Sequence, residues 1–316
     1  MKYIKKMPLP IAAVALALAA LGNLLATYSQ SIRTVLGVLA ALVMVLLTVK
    51  VITCWQEVKK EFENPVIASV VPTYSMALML LAGYLKPISA IAGLALFWAG
   101  IIIHVALMIL YTVKFIFNFD IKKIFPSIFI VYVGIGVGGI TGPAFGFTAL
   151  AKGIFWFAFI SLIVLLFLVA YRVWVVKGIP EPAQPTIVIF AAPAALTLAA
   201  YLNAFEVKNI IMIYFLAFLV GVLYVVGLVY LIKGLRLKFY PSFAAFTFPL
   251  VISAIALKLS NGALMKMEKG ISWLGKIVAA EEIIATIVVL YVLVSFMAFI
   301  FAGNKKASTE KGAISK

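Results

Sequence analysis

Apolar runs about as long as a transmembrane helix recur along almost the whole of this 316-residue chain. A helix needs about 20 mainly apolar residues to cross the hydrocarbon core of a bilayer, and each crossing segment must satisfy its own backbone hydrogen bonds. Hydrophobic residues make up 66% of the chain and charged residues 11%, against roughly 45–50% and about 25% in soluble domains. The sequence therefore predicts an all-α integral membrane protein that crosses the bilayer many times.

We predict ten spans within a single transmembrane domain that covers residues 1–316. The predicted spans are 8–27, 31–52, 65–85, 88–113, 125–143, 147–171, 185–205, 208–232, 240–260 and 275–301. The first run follows three lysines, so it also has the basic start and apolar centre of a signal peptide. We favour a membrane span there because no clear small-residue cleavage site follows the run.

The basic residues are distributed unevenly between the two sides of the predicted membrane domain. Of the 26 lysines and arginines, 18 fall on the side of both termini and 8 on the other side. Cytoplasmic loops of membrane proteins carry an excess of these residues. We therefore expect both termini to be cytoplasmic in a plasma-membrane protein, which agrees with an even number of spans.

Prolines recur in the odd-numbered spans at Pro10, Pro72, Pro126, Pro193 and Pro249, at intervals of 62, 54, 67 and 56 residues. The even-numbered spans contain no proline apart from one at the margin of the fourth. A proline inside a helix removes a hydrogen bond and kinks the helix. The pattern predicts five helical hairpins, each with a kinked first member, that repeat around a shared axis.

The composition of the spans predicts which of them lie inside. The odd spans are rich in small residues, as in YVGIGVGGITGP (132–143), and carry no charge before Lys258. Small side chains allow helices to approach closely. The even spans are bulkier, as in WFAFISLIVLLFLVAY (156–171), and suit contact with lipid. We expect the odd helices inside and the even helices outside.

Residue types that carry chemistry are scarce. The chain has one cysteine, Cys54, one histidine, His104, and one aspartate, Asp120. This excludes an internal disulfide and a cysteine metal cage, and it disfavours paired histidine haem ligands and aspartate-rich magnesium motifs. We expect no enzyme activity, no cofactor, no metal and no nucleic-acid partner.

The ten spans, the proline in each inner helix, and the motif FTFP (246–249) followed by Lys258 resemble the tellurite-resistance/dicarboxylate transporter family. That family includes bacterial tellurite-resistance channel homologues, yeast malate and sulfite transporters, and the slow anion channels of plant guard cells. The resemblance covers about residues 7–303. It implies a quasi-fivefold ring of inner helices around a central pore, assembly into homotrimers in the lipid bilayer, and small inorganic or organic anions as the transported species.

The resemblance also implies roles for individual residues. Phe248 matches the phenylalanine that closes the pore, Thr247 and Pro249 match its neighbours at a hinge, and Lys258 matches a lysine of the plant members. Helical spacing places Phe248 on one stripe with small and apolar neighbours. The alternative for Phe248 is ordinary packing between helices. Lys258 is interpreted either as an interfacial lysine that reaches towards water or as a cation at the outer mouth that concentrates anions.

Four other features have simpler interpretations. The run GIGVGG (134–139) fits a dinucleotide-binding pattern formally, but it lies within an apolar span and lacks the acidic residue that such a site needs; we expect tight helix packing or local flexibility. Glu281 and Glu282 are expected to be solvated or to contact another subunit. His104 is expected to bond a neighbour, and residues 55–65 to form an amphipathic connector that ends at the start of the third span.

Taken with the resemblance, these residues predict an anion channel or channel-like transporter. The predicted pathway has charged mouths, a lumen of small residues and a hydrophobic constriction at Phe248. The available hydrogen-bond donors for an anion are Thr73, Ser75, Thr197, Thr247 and Ser253. Two alternatives remain: a proton-coupled exporter of C4-dicarboxylate, sulfite or tellurite that uses His104 or Glu281, and, more distantly, an intramembrane enzyme.

Overall fold

The computed structural model describes residues 2–302, and all regular secondary structure within them is helical. In chain order, the α-helices are α1 (Lys2–Lys6), α2 (Ile11–Leu25), α3 (Gln30–Thr53), α4 (Trp55–Glu61), α5 (Pro65–Val70), α6 (Thr73–Leu85), α7 (Ala90–Tyr111), α8 (Ile128–Tyr132), α9 (Gly136–Thr141), α10 (Thr148–Ala170), α11 (Pro193–Ala204), α12 (Ile210–Gly234), α13 (Phe248–Lys266) and α14 (Leu274–Phe301). The lysines at 305, 306, 311 and 316, which contribute to the predicted charge bias, lie outside the described residues.

Eight helical segments of 21 to 29 residues within 2–302 are long and apolar enough to cross a membrane. They correspond to eight of the predicted spans and include the joined pair α5–α6. The predicted first span is represented by α2, which has 15 residues, and the predicted fifth span is divided between α8 and α9. The structure thus confirms an all-helical protein with about eight membrane-spanning candidates.

The even-numbered spans are continuous helices, and polar capping residues set the starts of three of them. Ser29, Ser89 and Asn209 lie immediately before α3, α7 and α12, and each side chain accepts a hydrogen bond from a backbone amide of the first turn. Such caps satisfy amides that have no partner within the helix. α7 and α10 each end in a short π-helix, at Thr112–Ile116 and Tyr171–Val176.

Three odd-numbered spans are interrupted at their prolines, as predicted, whereas Pro10 and Pro126 precede the first helix of their spans and the fifth span is interrupted at residues 133–135. Pro10 and Pro72 directly precede α2 and α6, Pro126 lies in the turn before α8, and Pro193 and Pro249 occupy the first turns of α11 and α13. The segments before α11 and α13 are 3-10 helices, Glu181–Ala191 and Pro241–Phe246. The predicted kink at Pro249 is therefore a break between two helix types, since proline is accommodated at a helix start, where its missing amide costs nothing.

Burial separates the two kinds of span. The most apolar stretches of Pro65–Leu85, Glu181–Ala204 and Pro241–Lys266 are 67%, 94% and 78% buried, whereas those of α3, α7, α10, α12 and α14 with their extensions are 28–33% buried. Every residue of α2 from Ile11 to Gly22 is buried. The proline-containing segments therefore form the interior of the protein, and the bulky continuous helices form its surface.

The interior helices contact one another in a fixed order. α2 contacts α6, α6 contacts α9, α9 contacts α11, α11 contacts α13, and α13 contacts α2. Glycines permit this closeness: a Cβ added at Gly138 would lie 2.6 Å from Ile101 Cδ1, and one at Gly139 would lie 3.0 Å from Ala200 Cβ. The interpretation of the 134–139 run as a close-packing segment is confirmed.

The connector at residues 55–65 holds the start of α2 in place. It forms the short helix α4, and Asn64 caps α5 through hydrogen bonds from two backbone amides, as predicted. Lys50, which is 1% exposed, donates to the Glu61 carboxylate and to the Met7 carbonyl at 2.6 Å. Glu61 also accepts from the backbone amide of Leu9 at 3.2 Å. These bonds fix the chain just before Pro10.

Candidate functional site

A narrow cavity lies where the five proline-containing segments meet. Each segment contributes to its wall, through residues such as Ala13, Thr73, Gly134, Leu196 and Phe248. Its volume is about 30 Å³, which is roughly the share of liquid volume that one water molecule takes. Among the residues that the structure describes, no charged side chain lines it. The cavity is therefore an uncharged constriction in the centre of the helix bundle.

A larger cavity of about 340 Å³ adjoins this constriction at the end of the bundle that carries the N terminus. The two cavities share Pro10, Val70 and Ser242 in their walls. The wall of the larger cavity comes from the beginnings of the same five segments, and it is mainly apolar, with several prolines. We call this space the terminal-side vestibule.

The opposite end of the bundle contains a separate pocket of about 580 Å³, which we call the far-side pocket. Lys208, Lys258 and Lys266 line it, together with Glu206. Among the described residues, none lines both this pocket and the central constriction. The central cavity is thus joined to the terminal-side vestibule and separated from the far-side pocket.

Phe248 lies in the wall of the constriction and is 6% exposed. Its backbone begins α13, so the break at Pro249 sets the direction in which the ring points. Ala244 and Ala245, four and three residues before Phe248, are on the same helical stripe and also line the cavity. Thr247 does not line it: its hydroxyl donates to the Ala244 carbonyl at 2.7 Å and lies 3.4 Å from the Ala13 carbonyl.

The prolines take different positions relative to the constriction. Pro10, Pro193 and Pro249 line it, whereas Pro72 and Pro126 lie behind its wall. In three segments the residue three positions after the proline also lines the cavity: Ala13, Phe129 and Leu196. These three residues were not among the predicted site residues, although helical spacing from their prolines indicates them.

The hydroxyl groups that were predicted to bind an anion are already engaged. Thr73, Ser75, Thr197 and Thr247 donate to backbone carbonyls of their own segments at 2.7–2.8 Å. Several of these carbonyls lie at the helix breaks, where regular backbone partners are missing. Only Thr73 of this set lines the constriction. The prediction that they are free donors is therefore wrong for these four.

Lys258 is an interhelical ion-pair partner. Its ammonium group donates to Glu282 Oε1 at 2.7 Å, to the Leu24 carbonyl at 3.0 Å and to Thr27 Oγ1 at 2.8 Å. Tyr28 donates to the other oxygen of Glu282 at 2.7 Å. These bonds tie α13 and α14 to the end of α2. The charge of Lys258 at the far-side pocket is therefore largely compensated by Glu282.

Both glutamates at the start of α14 are buried within the chain. Glu281 is 3% exposed and Glu282 is 5% exposed. The expectation that they are solvated or contact another subunit is wrong, because helix packing covers them. His104 behaves as predicted: it is fully buried, with Nδ1 2.9 Å from Ser75 Oγ and Nε2 3.2 Å from the Val131 carbonyl. It does not line the constriction.

The described residues offer no group of three or more histidine, cysteine, aspartate or glutamate side chains that could hold a metal ion. The features that remain are a bundle of apolar helices, a narrow uncharged constriction along its interior, and a vestibule that leads to it. These features define a multi-pass membrane protein of the channel or transporter class.

The family model described as voltage-dependent anion channel matches residues 6–297. The chain therefore belongs to this family, the one that the sequence resemblance indicated. Members of the family are channels or transporters of anions and are not enzymes. The protein is thus an anion channel or transporter of the membrane. No curated protein matches the chain closely enough to add a more specific relative.

Proposed function

We propose that the chain is an anion channel whose pathway runs through the central constriction and is closed by the ring of Phe248. The observation that carries this proposal is the meeting of all five proline-containing segments at one narrow cavity, with Phe248 in its wall. In this proposal the chain crosses the membrane ten times. The inner helices form a quasi-fivefold ring, an arrangement supported by their closed order of contacts.

Electrostatics within the constriction favour an anion over a cation. α2, α6, α11 and α13, which have 12 to 19 residues, all begin beside the cavity. The N-terminal end of a helix carries a partial positive charge. The preceding turns use some of the backbone amides, so this attraction is modest. Weak attraction without a buried cation suits conduction, since an ion that binds tightly leaves slowly.

Phe248 closes the pathway because an ion cannot pass its ring without losing water of hydration. An ion that passes a neck with room for about one water must lose most of its hydration shell, and an apolar wall returns little of that energy. Phe248 is the aromatic ring of α13 at this neck, and its neighbours Ala244 and Ala245 leave space around it. The break at Pro249, with the Thr247 hydroxyl bonded to the Ala244 carbonyl just before it, supports the ring in this position.

The orientation and assembly belong to the same proposal. We place both termini in the cytoplasm of a cell whose plasma membrane holds the protein, so that the terminal-side vestibule faces the cytoplasm. The excess of lysine and arginine on that side supports this orientation. Homotrimers, which the resemblance implies, are compatible with the broad apolar surfaces of the outer helices.

A proton-coupled exporter is the second candidate. It would use a titratable group along the pathway, and the only histidine, His104, is instead bonded to Ser75 and Val131 behind the constriction wall. Among the described residues, no aspartate or glutamate lines the constriction. These positions favour a channel that conducts passively.

Ion-substitution recording on the purified protein in planar bilayers tests the proposal. With chloride, nitrate, sulfite and malate in turn, the reversal potential should follow the anion gradient, and nitrate should pass more readily than chloride because it loses its hydration more easily. A reversal potential that follows the cation gradient would contradict the proposal. Electrically silent flux of malate or sulfite that follows a pH gradient would establish the exporter instead.

A further inference from the structure

Three buried side-chain oxygens near the contact of α12, α13 and α14 have no hydrogen-bond partner in the protein. They are Tyr224 OH, Ser253 Oγ and Glu281 Oε2, and their residues are 6%, 0% and 3% exposed. Ser253 lies close enough to the Glu281 carboxyl group to hydrogen-bond to it, although not in the geometry of a regular bond, and Tyr224 is a further neighbour. Buried polar atoms nearly always have partners. These three side chains from three helices therefore have bonding capacity that regular hydrogen bonds within the protein do not fill.

No cation compensates the Glu281 carboxyl group. Within residues 2–302, no lysine, arginine or histidine nitrogen lies within 4.0 Å of it, whereas Glu57, Glu61, Glu63 and Glu282 each have such a partner. Lys258, which pairs with the adjacent Glu282, already donates three hydrogen bonds to other groups. An ionised carboxylate buried without a partner is strongly unfavourable.

The other elements packed against α14 do not supply the missing charge. The residues of α2 and of the 3-10 helix Pro241–Phe246 include no titratable side chain. The turn after α2 contributes Tyr28, which bonds Glu282. α1 lies at the other end of α14, where Lys6 donates to the Ala302 carbonyl. Ser253 and Tyr224 are the polar side chains next to Glu281. Lys276, five residues earlier in α14, is exposed and does not pair with Glu281.

We propose that Glu281, Ser253 and Tyr224 form a buried proton site, in which Glu281 is a neutral carboxylic acid and one ordered water joins the three side chains. The acid proton removes the uncompensated charge, and a water that bonds all three groups leaves no oxygen without a partner. Three polar partners are the usual number for a buried water. The site links the outer helices α12 and α14 to α13.

Ionisation of this site would act on the helix that carries Phe248. Ser253 lies five residues after Phe248 in α13, so a charge at Glu281 would draw water in behind the first turns of that helix. This step rests on the proposed function. It predicts that anion conductance rises at alkaline pH, as α13 loses its packing against α14.

Infrared difference spectroscopy on the wild-type protein tests the proton site directly. A protonated carboxylic acid has a C=O stretching band separate from those of carboxylates. We expect this band at neutral pH, its loss in Glu281→Gln, and its retention in the matched control Glu206→Gln, which alters an exposed glutamate. Ser253→Ala and Tyr224→Phe should shift the band without removing it. A spectrum that Glu281→Gln leaves unchanged would overturn the proposal.

A second measurement does not depend on spectroscopy. As the pH rises from about 5 to about 9, the melting temperature of the wild type should fall relative to that of Glu281→Gln. Glu281 ionises in this range and leaves a buried charge unpaired, whereas glutamine cannot ionise. Parallel melting curves over this range would also overturn the site. A conductance that does not depend on pH while the band follows Glu281 would overturn only the coupling to α13. Absence of anion current under all conditions would defeat the proposed function and leave the proton site standing.

Discussion

At the residue scale, Phe248 differs from the other phenylalanines close to it in the chain. Phe243 and Phe246 lie 4.8 Å apart between ring centroids, and both rings are almost fully buried. Phe246 also packs so closely on α12 that a Cβ added at Gly234 would meet its ring at 2.6 Å. Phe248 makes no aromatic pair among the described residues, and it lines the constriction. This position is the basis for the proposed role of Phe248 as a blocking ring.

We expect Phe248→Ala to raise anion conductance strongly while it lowers the melting temperature only slightly. Truncation of a well-packed core phenylalanine typically costs about 3–5 kcal/mol, but a ring that faces a cavity loses fewer contacts. The wider neck lets ions keep more of their water. Phe248→Leu should fall between the wild type and Phe248→Ala. Current recordings and thermal melts on the same preparations measure both effects.

Phe246→Ala is the matched control for this substitution. It removes the same atoms two residues away, from a ring buried against Gly234, so it should destabilise the protein without opening the pathway. If Phe248→Ala instead lowers the melting temperature as much as Phe246→Ala and leaves conductance unchanged, Phe248 is a packing residue and the pathway closes elsewhere.

At this scale, spacing along one segment predicts part of the cavity wall. Ala244, Ala245 and Phe248 could be placed on one side of their segment from spacing alone, and they line one cavity, but Val251, Ile252 and Ile255 at the same helical spacing do not line it. Sequence reasoning failed for the hydroxyl groups and for Glu281. Whether Thr73 is free, or Glu281 covered, depends on carbonyls and helices brought close only by folding.

At the element scale, the first and last interior helices are joined at two levels. Near the constriction, Thr247 of the break before α13 lies 3.4 Å from the Ala13 carbonyl of α2. At the far side, Lys258 of α13 bonds the Leu24 carbonyl and Thr27 at the end of α2, as well as Glu282. These bonds close the order of contacts among the interior helices. Lys258 thus has a structural role in addition to any attraction of anions.

Two variants separate these roles of Lys258. Lys258→Gln leaves the Glu282 carboxylate buried and unpaired, so it should reduce the free energy of unfolding by about 1–3 kcal/mol. The double variant Lys258→Gln/Glu282→Gln should recover most of that loss. If Lys258 also concentrates anions, Lys258→Gln should carry less current at about 0.01 M salt but not near 1 M, where the Debye length is about 3 Å. The double variant removes one charge of each sign, so its current at low salt should fall less.

Lys266→Gln is the matched control for the ion pair, because Lys266 lines the same far-side pocket and is exposed. It should change current at low salt without any change in the melting temperature. A double variant that is no more stable than Lys258→Gln would show that the pair is not what Lys258 contributes. Equal currents in all variants at low salt would remove the anion-concentrating role.

The elements themselves were largely predictable, and their internal breaks were only partly so. Length and apolarity identify a continuous helix such as α12 to within a few residues, because each span must satisfy its own backbone in lipid. A proline shows where a segment is interrupted. It does not show that a 3-10 helix precedes the interruption, since that depends on partners such as the Thr247 hydroxyl.

At the scale of the whole molecule, the two ends of the bundle differ. The terminal-side vestibule reaches the constriction and is lined mainly by apolar residues and prolines. The far-side pocket carries three lysines and is separated from the constriction by the buried turns of α13. An anion in the terminal-side vestibule therefore reaches Phe248 without first passing a barrier. The orientation of the chain determines on which side of the membrane that vestibule lies.

Cysteine labelling in intact cells tests that orientation. Cys54 is buried, at 2% exposure, so a Cys54→Ala background supplies a chain with no reactive thiol of its own. Lys86→Cys and Val207→Cys place thiols at exposed positions on the far side, and Lys122→Cys and Arg236→Cys place them at exposed positions on the terminal side. With cytoplasmic termini, an impermeant thiol reagent should modify the first pair from outside and the second pair only after permeabilisation.

The reverse labelling pattern would mean the opposite orientation in the membrane, with the terminal-side vestibule as the extracellular opening. Different accessibility within either pair would mean an odd number of crossings between those two positions and would contradict the five-hairpin arrangement.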